Sequence, residues 1–217
     1  MRVNHEARAA AAESRRAQTR ARLIEAAISV IIDKGPEASS IEDFVAAAGV
    51  SRGTFYNYFP TFEDLIHALN TQLSEELDET LEPVREGIDD PAVLLATVLH
   101  RIFAAFSANP VRAWLALRIE ATGVPRQAVF EARFDAIYAA AVAKGRFRGC
   151  DVGAARCLTF GGARMAQREI VTGEAGPEHV VDLVSLLLIA YGLPPEEAVK
   201  ISRDAFEAAY QAMQRPN

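Results

Sequence analysis

The sequence predicts an all-α protein, and three observations carry the prediction. Apolar residues recur at helical spacing through most of the chain, no segment alternates convincingly with period two, and prolines and glycines fall where helices start and stop. With 217 residues, the chain has room for one small domain and one larger one, each with a core of its own.

Residues 1–18, rich in Ala and Arg, read as a flexible basic arm and lack the continuous apolar run of a signal peptide. Residues 40–59 read as two short helices joined by a tight turn. Ser40 with Asp43 three positions on makes a capping-box-like start. Ile41, Phe44, Val45 and Ala48 then follow the i, i+3, i+4, i+7 spacing of one buried stripe. Gly49 occupies the position where a helix ends in a left-handed residue, Val50 fills the turn, and Ser51 caps the second helix. At about 100° per residue, Phe55 and Phe59 share the inner face. Gly53, Thr54, Tyr56 and Asn57 form the opposite face, flanked by Arg52 and Tyr58.

Beyond residue 60, Thr61 caps a helix from about Phe62 to Leu81 that Pro83 ends. Helices follow from Pro91 to Ala108, Pro110 to Ala121 and Arg126 to Lys144, the last stopped by Gly145. Asp151 begins one reaching Thr172, Pro177 opens one to Tyr191, and Pro194-Pro195 opens a last one to Gln214. With three helices before residue 60, the total is ten.

Charge is divided unevenly. The net charge is −6, which on its own argues against a general nucleic-acid binder. Yet residues 1–22 hold six Arg against Glu6 and Glu13, leaving 17 basic and 27 acidic residues in the rest. A +4 segment beside a polar, aromatic helix face suits phosphates. Arg52 and Asn57 are the candidate base readers; Arg15, Arg16, Arg20 and Arg22 supply phosphate attraction, while Ser40, Thr54, Tyr56 and Tyr58 hold register. A helix-turn-helix presents its second helix to the major groove in this way. A helical hairpin whose polar side faces water is the alternative.

Other chemistries find little support. Cys150 and Cys157 have no histidine nearby, and His5, His67, His100 and His179 are scattered, so neither metal nor cofactor is expected. No phosphate loop, dinucleotide fingerprint, metalloprotease motif or nucleophile elbow occurs, so no catalytic residue is assigned. The apolar stretch Val180–Leu193 is interrupted by Asp182 and Ser185 and is too short to span a bilayer. A soluble, cytoplasmic chain without membrane association is the expectation. A helical enzyme and a helical protein-interaction module that does not bind DNA remain the competing classes.

The run from Thr19 to about Leu69 resembles the DNA-binding domain of the tetracycline-repressor (TetR-type) family. The matching residues are Thr19-Arg20, Ala26-Ala27 and Gly35 in the first helix, then Ala48-Gly49-Val50-Ser51, Gly53-Thr54, Tyr56 and Tyr58-Phe59, then Glu63 and Leu65. One departure is that Phe62 stands where the family usually places a phosphate-clamping lysine. The resemblance implies a DNA-binding domain over 19–60 and a helical regulatory and dimerisation domain over 61–217. It implies a homodimer on a palindromic operator, most often a repressor, released when a small molecule enters the larger domain and shifts the 62–81 helix.

Two further sets of residues follow from that resemblance. Phe103, Phe106, Trp114, Arg118, Phe130, Phe134 and Tyr138 are candidates to line a pocket for an apolar or aromatic effector, although aromatics at helical spacing also suit plain core. Leu158, Gly161, Gly162 and Met165, with Val184, Leu187 and Leu188, are candidates for the dimer interface. Adjacent glycines in a helix cost about 1 kcal/mol each, which close backbone approach would justify. The 178–191 helix is apolar nearly all round, beyond what one core need cover. Ordinary intramolecular core is the alternative.

Overall fold

The computed structural model describes residues 2–35, 38–85, 87–121 and 128–214. Among them are ten α-helices and no strand: α1 (Arg2–Lys34), α2 (Ile41–Ala48), α3 (Arg52–Tyr56), α4 (Phe62–Arg85), α5 (Pro91–Ala108), α6 (Pro110–Ala121), α7 (Ala128–Ala143), α8 (Val152–Thr172), α9 (His179–Ala190) and α10 (Pro195–Gln214). The expected start at Arg126 lies outside the described residues.

Two expectations need correction. The arm is helical, because α1 begins at Arg2 and continues without a break into the part expected from Thr19. Four consecutive alanines, Ala9 to Ala12, carry the lowest helix-forming cost of any residue and explain the continuity. The 62–81 helix runs through Pro83 to Arg85. Proline there removes one backbone bond within the last turn, where little helix remains to be lost.

The chain forms two compact units, Met1–Gln72 with Arg118–Val124, and Leu73–Leu117 with Pro125–Asn217. The division therefore falls inside α4, not at residue 60, and α6 contributes to both units. In the first unit Leu23, Ile24, Ala27 and Ile31 of α1 make a stripe at helical spacing. That stripe is buried, as are Phe44 and Ala48 of α2, Phe55 and Phe59, and Leu65, Ile66 and Leu69 of α4.

The second unit is organised on α5, which packs against α7, α8, α9 and α10. By length and composition α5 is apolar enough to cross a bilayer, but Ala92, Leu95, Ala96, Leu99 and Phe103 sit in the core. Asp90 and Asp151 cap α5 and α8 by accepting from the backbone N–H of Ala92 and Ala154 at 2.9 and 2.8 Å. Arg146 joins the starts of α5 and α10 through Asp90 and Glu197 at 3.0 and 2.7 Å.

Candidate nucleic-acid interface

The α2–turn–α3 segment is built from local bonds. The Asp43 backbone N–H donates to Ser40 Oγ at 3.3 Å, and the Ser40 N–H donates to Asp43 Oδ2 at 3.1 Å, a reciprocal capping box. Gly49 ends α2 at φ 63°, where a Cβ would be strained. Ser51 caps α3, accepting from the Thr54 N–H at 3.1 Å. Thr61 and Asp64 repeat the capping box at the start of α4, with bonds of 3.1 and 3.0 Å.

The second helix of the pair is only five residues long. Phe55 and Phe59 turn inward, while Arg52, Gly53, Tyr56 and Asn57 are exposed and Thr54 and Tyr58 half-buried. A Cβ on Gly53 would find its nearest neighbour at 3.9 Å, so nothing within the chain demands glycine there. Close approach from outside would. On the outer side, an open cleft of about 600 Å³ is lined by Ala12, Arg15, Arg16 and Thr19 of α1 with Thr54, Asn57 and Tyr58. Arg16 lies over the Tyr58 ring at 5.8 Å and Arg20 over Phe59 at 5.4 Å. Residues some 40 apart in sequence thus form one basic, aromatic surface.

Several residues expected at phosphates or bases have work inside the chain. The Ser40 hydroxyl donates to Asp43 Oδ2 at 2.8 Å, so its role is to cap α2 rather than hold a phosphate. Arg22 donates to the Ala48 carbonyl at 2.6 Å, capping the other end of α2. Arg52 donates to Glu42 at 2.5 Å and to the Tyr56 hydroxyl at 3.4 Å, with Tyr56 and then Glu42 raising its pKa. Both members of the Arg52–Glu42 pair are about 60% exposed, so DNA can compete for the guanidinium. Asp43 pairs with Lys34 at 2.6 Å; that bond first, and Ser40 second, lower its pKa to about 2. Phe62 stacks on Phe44, with centroids 5.8 Å apart, and forms part of the α2–α4 packing. Nothing in the sequence around Arg22 or Phe62 signals these partners.

In the second unit the expected sets divide. Phe103, Phe134 and Tyr138 belong to the core cluster, whereas Phe106, Trp114 and Phe130 are half-buried. The Tyr138 hydroxyl donates to the Arg148 carbonyl at 3.0 Å and accepts from the Cys150 N–H at 3.1 Å. Arg118 falls in the first unit and donates to the Ile31 carbonyl at 3.4 Å. Val184, Leu187 and Leu188 are at most 3% exposed and belong to the core, which corrects their placement at a dimer interface. On α8 and α9 the exposed large apolar residues are Leu158, Met165 and Leu186, at 47, 53 and 65% exposure. A Cβ on Gly161 would meet nothing within 4 Å, while one on Gly162 would meet Leu183 at 3.0 Å. Gly161 is open to a neighbour; Gly162 serves the α8–α9 contact.

The capped α2–turn–α3 geometry coincides with a family model described as "Bacterial regulatory proteins, tetR family", which matches residues 23–69. Over these residues the chain is similar to the tetR family. The match starts inside α1, so residues before 23 lie outside it. Among relatives, an uncharacterised HTH-type transcriptional regulator of Bacillus subtilis is 41% identical over 85 residues, 38% of this chain and 42% of that one. A fatty acid metabolism regulator of the same organism is 30% identical over 90 residues, 40% of this chain and 45% of that one. The chain thus spans somewhat less than half the length of these curated relatives. Similarity of fold extends further. RolR in complex with resorcinol superposes with a TM-score of 0.65 at 26% identity, covering 88% of this chain and 95% of that one. TylP, a tetR regulator from Streptomyces fradiae, has a TM-score of 0.65 at 24% identity over 92% of this chain and 99% of its own.

Proposed function

We propose that the chain is a ligand-responsive transcriptional regulator that binds a palindromic operator as a homodimer, acting as a repressor relieved by a small molecule. The observation that carries this reading is the cleft in which Arg15 and Arg16 of α1 meet Thr54, Asn57 and Tyr58, beside the exposed face of α3. Arginines suit phosphates, hydroxyls suit phosphates and sugars, and an exposed Asn can pair with an adenine edge. Work on DNA also places the protein in the cytoplasm.

One α3 reads too few base pairs for specificity, so two copies are needed. Leu158, Gly161 and Met165 of α8, with Leu186 of adjacent α9, offer the apolar outer surface for isologous pairing. For the effector, Phe106, Trp114 and Phe130 are the half-buried members of the aromatic set, whereas the Tyr138 hydroxyl is already bonded within the core. An aromatic or apolar molecule fits them, and the resorcinol complex of RolR supports that class. Residues 62–72 of α4 belong to the first unit and the rest to the second, so α4 is the covalent path from effector to α3. Release requires the effector to bind the two states with different affinity.

Selection of bound fragments from random DNA tests the reading, and enrichment of a palindrome is the expected result. On that fragment, Asn57→Ala is expected to cost about 1–3 kcal/mol of specific binding and little non-specific binding. Recovery of unselected sequence would sink the proposal.

A further inference from the structure

We propose that the N-terminal half of α1 is a rigid arm that grips the DNA backbone outside the half-site read by α3, using Arg8, Arg15 and Arg16. The inference rests on the DNA-binding reading above and adds a contact that the helix-turn-helix does not supply.

Position comes first. Ala12, Arg15, Arg16 and Thr19 line the cleft shared with α3, which shows which face of α1 lies on the DNA side. Arg8 is four residues before Ala12 and therefore on the same face, one turn farther out. At about 1.5 Å per residue the stripe from Arg8 to Arg16 extends about 12 Å, long enough to pass several phosphates. Glu13 lies about 100° round the helix from Ala12, away from that stripe. Arg16 over Tyr58 and Arg20 over Phe59 set the direction of the arm relative to α3. Among the described residues, Arg15 uses its Nε on the Ala11 carbonyl at 3.1 Å, which leaves both terminal nitrogens for an anion.

The second observation is what the arm lacks. Every residue from Arg8 to Gln18 is exposed, and the only apolar side chains among them are alanines. Surface helices are ordinarily kept by an apolar face packed on a core, and this stretch packs on none. What it presents instead is charge: residues 1–22 carry a net of +4 in a chain whose residues 23–217 carry a net of −10. Helical order makes the arm specific in geometry: arginines on a rod meet phosphates at fixed spacing, whereas arginines on a coil meet whichever are near.

The test uses the full-length protein and the fragment selected from random DNA. For the variant carrying Arg8→Gln, Arg15→Gln and Arg16→Gln, the slope of log affinity against log salt is expected to fall by about 5, at about 0.9 per phosphate and two arms per dimer. Hydroxyl-radical protection should vanish on the flanking backbone and persist under α3. Ala11→Pro keeps every charge but interrupts the rod between Arg8 and Arg15. It should remove the outermost protection alone and lower the slope by about 2. Selective binding with an unchanged slope in the triple variant overturns the arm and removes Arg15 and Arg16 as phosphate contacts, while the retained selectivity keeps α3 as the reading element. A wild-type footprint in Ala11→Pro overturns the rigid rod. Failure of the wild-type chain to retain any duplex overturns both proposals.

Discussion

The 40–59 segment and helix α9 use apolar residues in opposite ways. In the 40–59 segment, Phe44, Ala48, Phe55 and Phe59 recur at helical spacing opposite a face that includes Glu42, Arg52 and Asn57, and all four are buried. In α9 apolar residues surround the axis, and spacing alone does not say which side is inward. Packing on α5, α8 and α10 decides it, burying Val184, Leu187 and Leu188 and leaving Leu186 outside. A polar counter-face is what turns a hydrophobic pattern into an orientation. Where it is missing, tertiary contacts assign the faces.

The sharpest way to break this contrast is to truncate one residue of each kind. Phe55→Ala is expected to cost about 3–5 kcal/mol and Leu188→Ala about 2–5, both read by chemical denaturation, because both side chains are fully buried. Leu186→Ala should stay within about 0.5 kcal/mol in the monomer while weakening self-association in sedimentation. Equal costs at Leu186 and Leu188 would show that α9 is rotated from the orientation described.

A pH series probes the second unit without touching α9. His100 is fully buried, its Nε2 lies 3.0 Å from Ser202 Oγ, and burial lowers its pKa to about 4. The folded chain therefore keeps this ring neutral while the unfolded chain protonates it near pH 6.5. Its stability contribution is fully present above about pH 6.5 and is lost as pH falls towards 4, by up to about 3 kcal/mol. His100→Phe should flatten that part of the profile in urea titrations between pH 4 and 7. A slope unchanged by the substitution would remove His100 as its source.

Two glycines give the smallest and most local comparison. Gly49→Ala forces a side chain into a left-handed conformation and should cost about 1–2 kcal/mol. Gly161→Ala lies in helical backbone with open space around it and should stabilise the monomer by about 1 kcal/mol. If α8 pairs two copies through that spot, the same change should weaken the dimer. Thermal melts and sedimentation of both variants separate a glycine needed for its φ angle from one needed for room.

Much of the first unit was legible because its signals are short-range. Ser40 with Asp43, Gly49, Ser51, and Thr61 with Asp64 act across three or four residues, so composition and spacing suffice to place them. The alanine run before Ser14 could have announced the helical arm, but its arginines suggested a solvated tail instead. The second unit was less legible. Phe103, Phe134 and Tyr138 have the same spacing whether they line a pocket or fill a core, and their burial depends on α8, α9 and the Phe147 turn.

The sequence by itself determined the helices, their caps, the inward aromatics of α3 and the charge asymmetry, since each depends on neighbours within about one turn or on simple sums of charge. Only the tertiary structure decided that Arg22 serves the Ala48 carbonyl, that Arg118 lies in the first unit, that Phe62 stacks on Phe44, and which side of α9 faces out. Those outcomes depend on residues distant in sequence arriving at hydrogen-bonding or van der Waals distance. Periodicity within a helix carries no record of its partner.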